Sequence, residues 1–143
     1  FKIHLVDSKT YTVAYGYPVV ESAKKAQRGA SSAEIIAYLT DWFDSVEIYF
    51  APYTLEFVKK SGRVPAAAAF VGELIGLRPI ISIIDGETKV VEKVRGDKAI
   101  LPALLKRAKE RGVGQFDIGA AISINAGPKV VGVIVKGQNR RAK

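Results

Sequence analysis

The chain has 143 residues, 48% of them apolar, which suits one compact domain with a real core and excludes a disordered segment. It has no cysteine and a single histidine, His4, so disulfides, a thiol nucleophile and most histidine-based metal clusters are excluded. The net charge of +8 raises the question of nucleic acid or an anionic surface as a partner.

Lys2–Val6 reads as a short strand ended by Asp7-Ser8. From Val13 to Gln27 apolar residues recur at helical spacing (Val13, Tyr17, Val20, Ala23, Ala26), and Gly29 stops that helix. Ser31-Ser32-Ala33-Glu34 is a capping box. It opens a second helix with Ile35, Ile36, Leu39 and Phe43 on one face. Val46–Ala51, rich in β-branched and aromatic residues, is a strand. Thr54 caps a short helix running to Lys59, and Ser61-Gly62-Arg63 breaks it. Ala66–Ile75 reads as a helix apolar nearly all round, which implies burial on most sides.

Arg78–Ile84 and Lys89–Glu92 are strands joined at Asp85-Gly86, a strong hairpin turn. A helix starts at Asp97 and runs to about Arg111, with Ile100, Leu101, Leu104 and Leu105 inward. Val113–Gln115 is a linker, and Ile118–Ile124 and Val130–Val135 flank the turn-rich corner Asn125-Ala126-Gly127-Pro128. The order predicts an α/β domain, leaning to α+β, with a mixed sheet and helices packed on it. In such sheets ligands favour the loops at strand carboxyl ends, here Asp7-Ser8, Pro52–Thr54 and Asn125–Gly127.

No apolar run approaches the roughly 18–20 residues needed to cross a bilayer. No charged segment leading into an apolar stretch marks a secretion signal. The expected location is the cytoplasm, without stable membrane insertion. The chain starts at Phe1 and has no methionine, which reads as a fragment, a processed product or an incomplete record. Lys24, Lys25, Arg28, Lys59, Lys60, Lys106, Arg107 and Lys109 are dispersed among helices and mixed with Glu21, Glu56 and Glu110. Only Arg140-Arg141-Ala142-Lys143 forms a cluster, and no base-reading motif accompanies it, so no nucleic-acid partner is expected.

Catalytic patterns are weak. His4, Asp7 and Ser8 supply the letters of a triad, but neighbouring strand residues point to opposite faces and do not converge. Neither phosphate-loop pattern occurs, and Gly112-Val113-Gly114 reads as a helix stop. Asp41, Asp44 and Glu73 read as helix-surface residues or caps rather than paired catalytic carboxylates. The chain is expected not to be an enzyme and to need no metal or cofactor. Arg63, at the mouth of an apolar helix, has the planar fork that holds a carboxylate beside a greasy wall, though an exposed loop arginine fits the same pattern.

Several motifs in order carry a family resemblance. Tyr53-Thr54-Leu55-Glu56-Phe57-Val58-Lys59-Lys60-Ser61-Gly62-Arg63-Val64 resembles the "tL-x-y-L-k-k-G-G-R-I" signature of the DegV family. Leu77-Arg78-Pro79-Ile80 resembles its "i-K-P-I-l", Asp85-Gly86 its "d-G", and Glu92-Lys93-Val94-Arg95-Gly96 its "e-K-v-R-G". Val6-Asp7-Ser8-Lys9-Thr10 resembles "i-D-S-k-t". Ala126-Gly127-Pro128 with Val131-Gly132-Val133 resembles "H-t-G-P-G-a-l-G".

The resemblance implies the C-terminal domain, residues 1–143, of a two-domain protein that binds one long-chain fatty acid between its domains and hands it to a fatty acid kinase. It implies that the N-terminal domain is absent from this chain. Arg63 matches the arginine near the ligand head group, and Arg95 the arginine of the surface thought to meet the kinase. Asn125 stands where the family has a histidine and would supply a neutral donor. Pro65 stands where the family has a serine. Phe70, Leu74 and Ile75 are the acyl-chain candidates, with ordinary core as their alternative use. The stretch between the Arg95 helix and Asn125 is shorter than the family pattern by about a strand and a helix, so residues around 111–117 are expected to be trimmed or missing. Two other readings stay open: a small domain related to kinases or transferases, and a basic regulatory or nucleic-acid-binding module.

Overall fold

The structure, a computed structural model, describes residues 2–62, 76–111 and 130–137. Helices α1 (Val13–Gln27) and α2 (Ser32–Ser45) lead into strand β1 (Val46–Pro52) and the short helix α3 (Glu56–Ser61). Strands β2 (Leu77–Ile84) and β3 (Glu87–Arg95) follow. A 3-10 turn (Asp97–Ala99) then opens helix α4 (Ile100–Glu110), and β4 (Val130–Lys136) closes the described chain. The strand order is β3-β2-β1-β4.

β1 is the centre of the domain, and its alternation sorts the core into two layers. Val46, Ile48 and Phe50 point to one face, where they pack with Ala14 of α1, Ile81, Ile83 and Val130, against Trp42 and Phe43 of α2. Tyr49 and Ala51 point to the other, where Ile80, Val133 and Val135 meet Ile100, Ala103, Leu104 and Ala108 of α4. Helices thus cover both faces of the sheet, which is why β1 reads as a nearly continuous apolar run. Gly132 lies opposite Phe50, and a Cβ there would stand 2.9 Å from the Tyr49 carbonyl oxygen, so only glycine fits that crossing.

Local chemistry sets the element ends as expected. The Glu34 N–H donates to Ser31 Oγ at 3.3 Å, while the Ser31 N–H donates to Glu34 Oε2 at 2.8 Å, completing the capping box. Asp85 and Gly86 have φ of 51° and 83°, the two positive values that a tight hairpin turn needs to follow the twist of its strands. A bulge in β3 falls where Ile80 pairs with Glu92 and Ile81 with Val90. Pro18 sits inside α1 and has no N–H to give Ala14. The Trp42 indole N–H donates to the Ala14 carbonyl oxygen instead, at 2.8 Å, and so ties α2 to α1 at the position the proline leaves open.

The α/β layering matches the sequence reading, with four corrections. First, the expected mixed sheet is antiparallel at every described pairing. α4 ends beside Glu47 near the start of β1, whereas β4 begins opposite Pro52 at the end of β1. Second, Lys2–Val6 forms no strand. A strand exists only through a neighbour that takes its backbone hydrogen bonds, and none of the described strands lies beside it. Third, Val13, Tyr17, Val20, Ala23 and Ala26 of α1 are all exposed, and the buried stripe is Ala14, Pro18 and Ser22. Fourth, Leu101 is 46% exposed, because α4 turns Ile100, Ala103 and Leu104 inward. The expected elements at Ala66–Ile75, Val113–Gln115 and Ile118–Ile124 lie outside the described residues.

Candidate functional site

Five of the site residues expected from sequence, Arg63, Phe70, Leu74, Ile75 and Asn125, lie outside the described residues, as does Pro65. The frame that carries their flanks is described, and its register is informative. Pro52, the last residue of β1, pairs with Val130, the first of β4. β2 runs opposite to β1 and starts at Leu77, which pairs with Arg95. The Gly96 N–H donates to the Gly76 carbonyl oxygen at 2.7 Å, closing the same end. One end of the sheet therefore gathers the exit of β1, the entry of β2, the entry of β4 and the end of β3.

α3 leaves from this end. The Glu56 N–H donates to Thr54 Oγ1 at 3.4 Å, consistent with the expected cap, and Val58 anchors the helix in the core beside Phe50. Gly62 then takes a φ of 64°, a left-handed turn immediately before Arg63. Arg95 is exposed at the end of β3. Close by in sequence, Arg78 Nε is paired with Asp97 Oδ1 at 2.7 Å, tying the start of β2 to the turn that opens α4.

The opposite end of the sheet holds a pocket of about 100 Å³ formed by Val6–Thr10, Thr40, Phe43, Asp44, Val46, Ile83 and Asp85. Asp7-Ser8 is therefore not grouped with Pro52–Thr54, as strand-end reasoning expected. Its polar groups are used in a turn: Ser8 Oγ donates to the Thr10 carbonyl oxygen at 3.1 Å, and the Lys9 N–H donates to Asp7 Oδ1 at 3.0 Å. These bonds order the loop and leave no triad geometry.

Beneath α4 lies a charged network that the sequence reading missed. Arg111 Nε lies 3.0 Å from Glu47 Oε2, and the Tyr49 hydroxyl donates to the same carboxylate. Arg107 pairs with Glu92 at 3.0 Å and donates to the Val91 carbonyl oxygen at 2.9 Å. Burial, then the Glu47 carboxylate, push the Tyr49 hydroxyl far above the usual tyrosine range. The available signal was Glu47 within an apolar strand, together with two arginines at i, i+4, Arg107 in α4 and Arg111 at its C-terminal end.

Lys24, Lys60 and Lys106 also sit in ion pairs along their helices, with Glu21, Glu56 and Glu110. These three charges are thus matched within their own helices. Among the described residues no group of three or more His, Cys, Asp or Glu is arranged to hold a metal ion. No helix among them is long and apolar enough to cross a membrane.

The frame defines the class: an α/β domain with helices on both faces of an antiparallel sheet, and with loop-bearing strand ends gathered at one end. Comparison with known proteins gives the family. Residues 1–115 match the family model described as "Uncharacterised protein, DegV family", and the chain belongs to that family.

A DegV domain-containing protein of Clostridium perfringens is 37% identical over 118 residues, covering 80% of this chain and 42% of that protein. The solved structure of DegV, a fatty acid binding protein from Bacillus subtilis, superposes with a TM-score of 0.61 at 25% identity, covering 75% of this chain and 39% of that one. A fatty acid binding DegV family protein from Streptococcus agalactiae reaches a TM-score of 0.79 at 20% identity, over 95% of this chain and 60% of that one, and shows the shared fold. The chain spans about half the length of the C. perfringens relative, with the match covering 42% of it.

Proposed function

We infer that this chain is part of a carrier that binds one long-chain fatty acid and leaves its carboxylate where a fatty acid kinase reaches it. The observation that carries the reading is kinship with the fatty-acid-binding DegV of B. subtilis, at 25% identity across 75% of the chain. The register supports it. Arg63 follows Gly62 directly, and Asn125 stands five residues before Val130, a reach of at most about 17 Å. Both flanks belong to the sheet end where Pro52 meets Val130 and Leu77 meets Arg95.

In this reading Arg63 holds the carboxylate and Asn125 adds a neutral donor. Phe70, Leu74 and Ile75 line the acyl chain. Each buried methylene contributes roughly 0.8 kcal/mol, while a carboxylate left unpaired in apolar surroundings costs several kcal/mol, so the site needs both a wall and a charge. Arg95, exposed at the same end of the sheet, is the contact for the kinase. The carrier performs no bond chemistry and uses no cofactor; its ligand is the fatty acid itself. An N-terminal domain completes the site, and the protein works in the cytoplasm. The alignment with a second C. perfringens relative runs over 170 residues, more than the 143 of this chain, which supports a shortened segment in this chain, and we place it near residues 111–117.

Native mass spectrometry of the protein purified from bacteria tests the carrier reading. A co-purified fatty acid, or uptake of added oleate, is expected; the absence of both overturns the reading. Arg63→Ala should weaken oleate binding about 10- to 100-fold, the range for losing a charge-assisted hydrogen bond. Unchanged affinity would return Arg63 to the role of a surface loop residue.

A further inference from the structure

Arg95 is the last residue of β3, and β3 is an edge strand: among the described residues it pairs with β2 alone. The end of a strand held from one side is among the first parts of a sheet to open. Here it is tied down. The Gly96 N–H donates to the Gly76 carbonyl oxygen at 2.7 Å. Arg78 Nε donates to Asp97 Oδ1 at 2.7 Å, which ties the turn after β3 back to β2. Farther along the strand, Arg107 of α4 donates to the Val91 carbonyl oxygen and to Glu92, where the bulge interrupts the ladder.

The register shows which tie acts closest to Arg95. Arg95 pairs with Leu77, and Arg78 pairs with Val94, so the two arginines stand on opposite faces of the sheet. Arg78 shares the face on which Val94 packs toward α4, and its side chain is only 27% exposed. Its partner Asp97 lies two residues beyond Arg95, across the turn that Gly96 makes with a φ of 77°. A partly exposed ion pair adds little to overall stability, and its effect here is on local order.

We propose that Arg78 and Asp97 are positioning residues for Arg95: their ion pair fixes the end of β3, so that the exposed guanidinium of Arg95 is presented to the partner kinase from ordered backbone. A partner that grips an arginine on a loose strand end must order that end as well, and the cost lowers its affinity. The pair therefore acts on docking and leaves oleate binding and phosphoryl transfer unchanged. The proposal rests on the reading of Arg95 as the kinase contact.

A double-mutant cycle tests it, run on the oleate-loaded full polypeptide with a purified bacterial fatty acid kinase. Asp97→Ala should raise the KM of the kinase for the carrier about 5-fold, with kcat and oleate affinity unchanged. Arg95→Ala should raise it further. Adding Asp97→Ala to Arg95→Ala should then change nothing more, because the pair has no arginine left to position. Arg78→Asp combined with Asp97→Arg, which reverses the pair, should restore the native KM. An unchanged KM in Asp97→Ala, or losses that add in the double variant, overturns the proposal. So does a loss in Asp97→Ala that falls on kcat or oleate affinity instead of KM. A native KM in Arg95→Ala overturns the kinase contact and the proposal with it. No oleate-dependent turnover by the native protein overturns the carrier reading as well, so the failures are seen separately.

Discussion

The two helical layers flanking the sheet are built differently. α4 is amphipathic in the ordinary way: Ile100, Ala103, Leu104 and Ala108 are buried, while Lys106, Lys109 and Glu110 face water. α1 inverts that economy. It buries the small stripe Ala14, Pro18 and Ser22, leaves Val13, Val19 and Val20 about half exposed, and lays the half-exposed Tyr17 ring against Trp42 of α2. A helix that buries its small residues against one layer and exposes its large ones has room for a second layer. The contrast separates a helix whose large apolar side chains are buried from one whose large apolar side chains are largely exposed.

The largest effect should come from the buried face of α4. Leu104 is fully buried against β1 and β4, so Leu104→Ala should cost about 2–5 kcal/mol in a denaturant titration, from lost transfer energy plus the cavity left behind. Next comes the bond that holds α1 to α2. Trp42→Phe leaves the Ala14 carbonyl oxygen without its donor and should cost about 1–3 kcal/mol, read from the same titration.

A smaller effect, confined to alkaline pH, concerns the network under α4. Tyr49 has its hydroxyl raised by burial and by Glu47, so the neutral form favours the folded state. Its contribution is complete below the unfolded tyrosine value of about 10 and is lost as pH rises above it. Stability measured from pH 8 upward should therefore fall more steeply above about pH 10 in the native protein than in Tyr49→Phe; parallel curves would show that Tyr49 is not the group responsible. The smallest effect is expected on the exposed face of α1. Val20 is 55% exposed, and Val20→Ser should change the stability of this chain by less than about 0.5 kcal/mol. A cost as large as that of Leu104→Ala would erase the distinction between the two helices.

Much of the fold was legible because it is encoded locally. The capping box at Ser31 and Glu34, the Asp85-Gly86 turn and the apolar run of β1 all act over a few residues, and each stands where the sequence put it. The candidate site was legible in another way, through the ordered motifs from Tyr53 to Gly96 that mark the family. Arg95, named through its motif, lies exposed at the end of β3. The Glu47–Arg111 pair was not legible, since its members are far apart in sequence and meet only when α4 crosses β1.

What the sequence by itself determined is the family and most of the described helices and strands, because helix and strand periods, caps and turns are short-range chemistry. Only the tertiary structure decided which side of each element is inside. The stripe of α1 with the larger apolar residues is the exposed one, since periodicity states that a face is apolar without stating what it meets. The arm Lys2–Val6 has the pattern of a strand and is not one here, because backbone hydrogen bonds need a neighbour. The gathering of the flanks of Arg63 and Asn125 at one sheet end comes from long-range pairing between Pro52 and Val130, which no local pattern specifies.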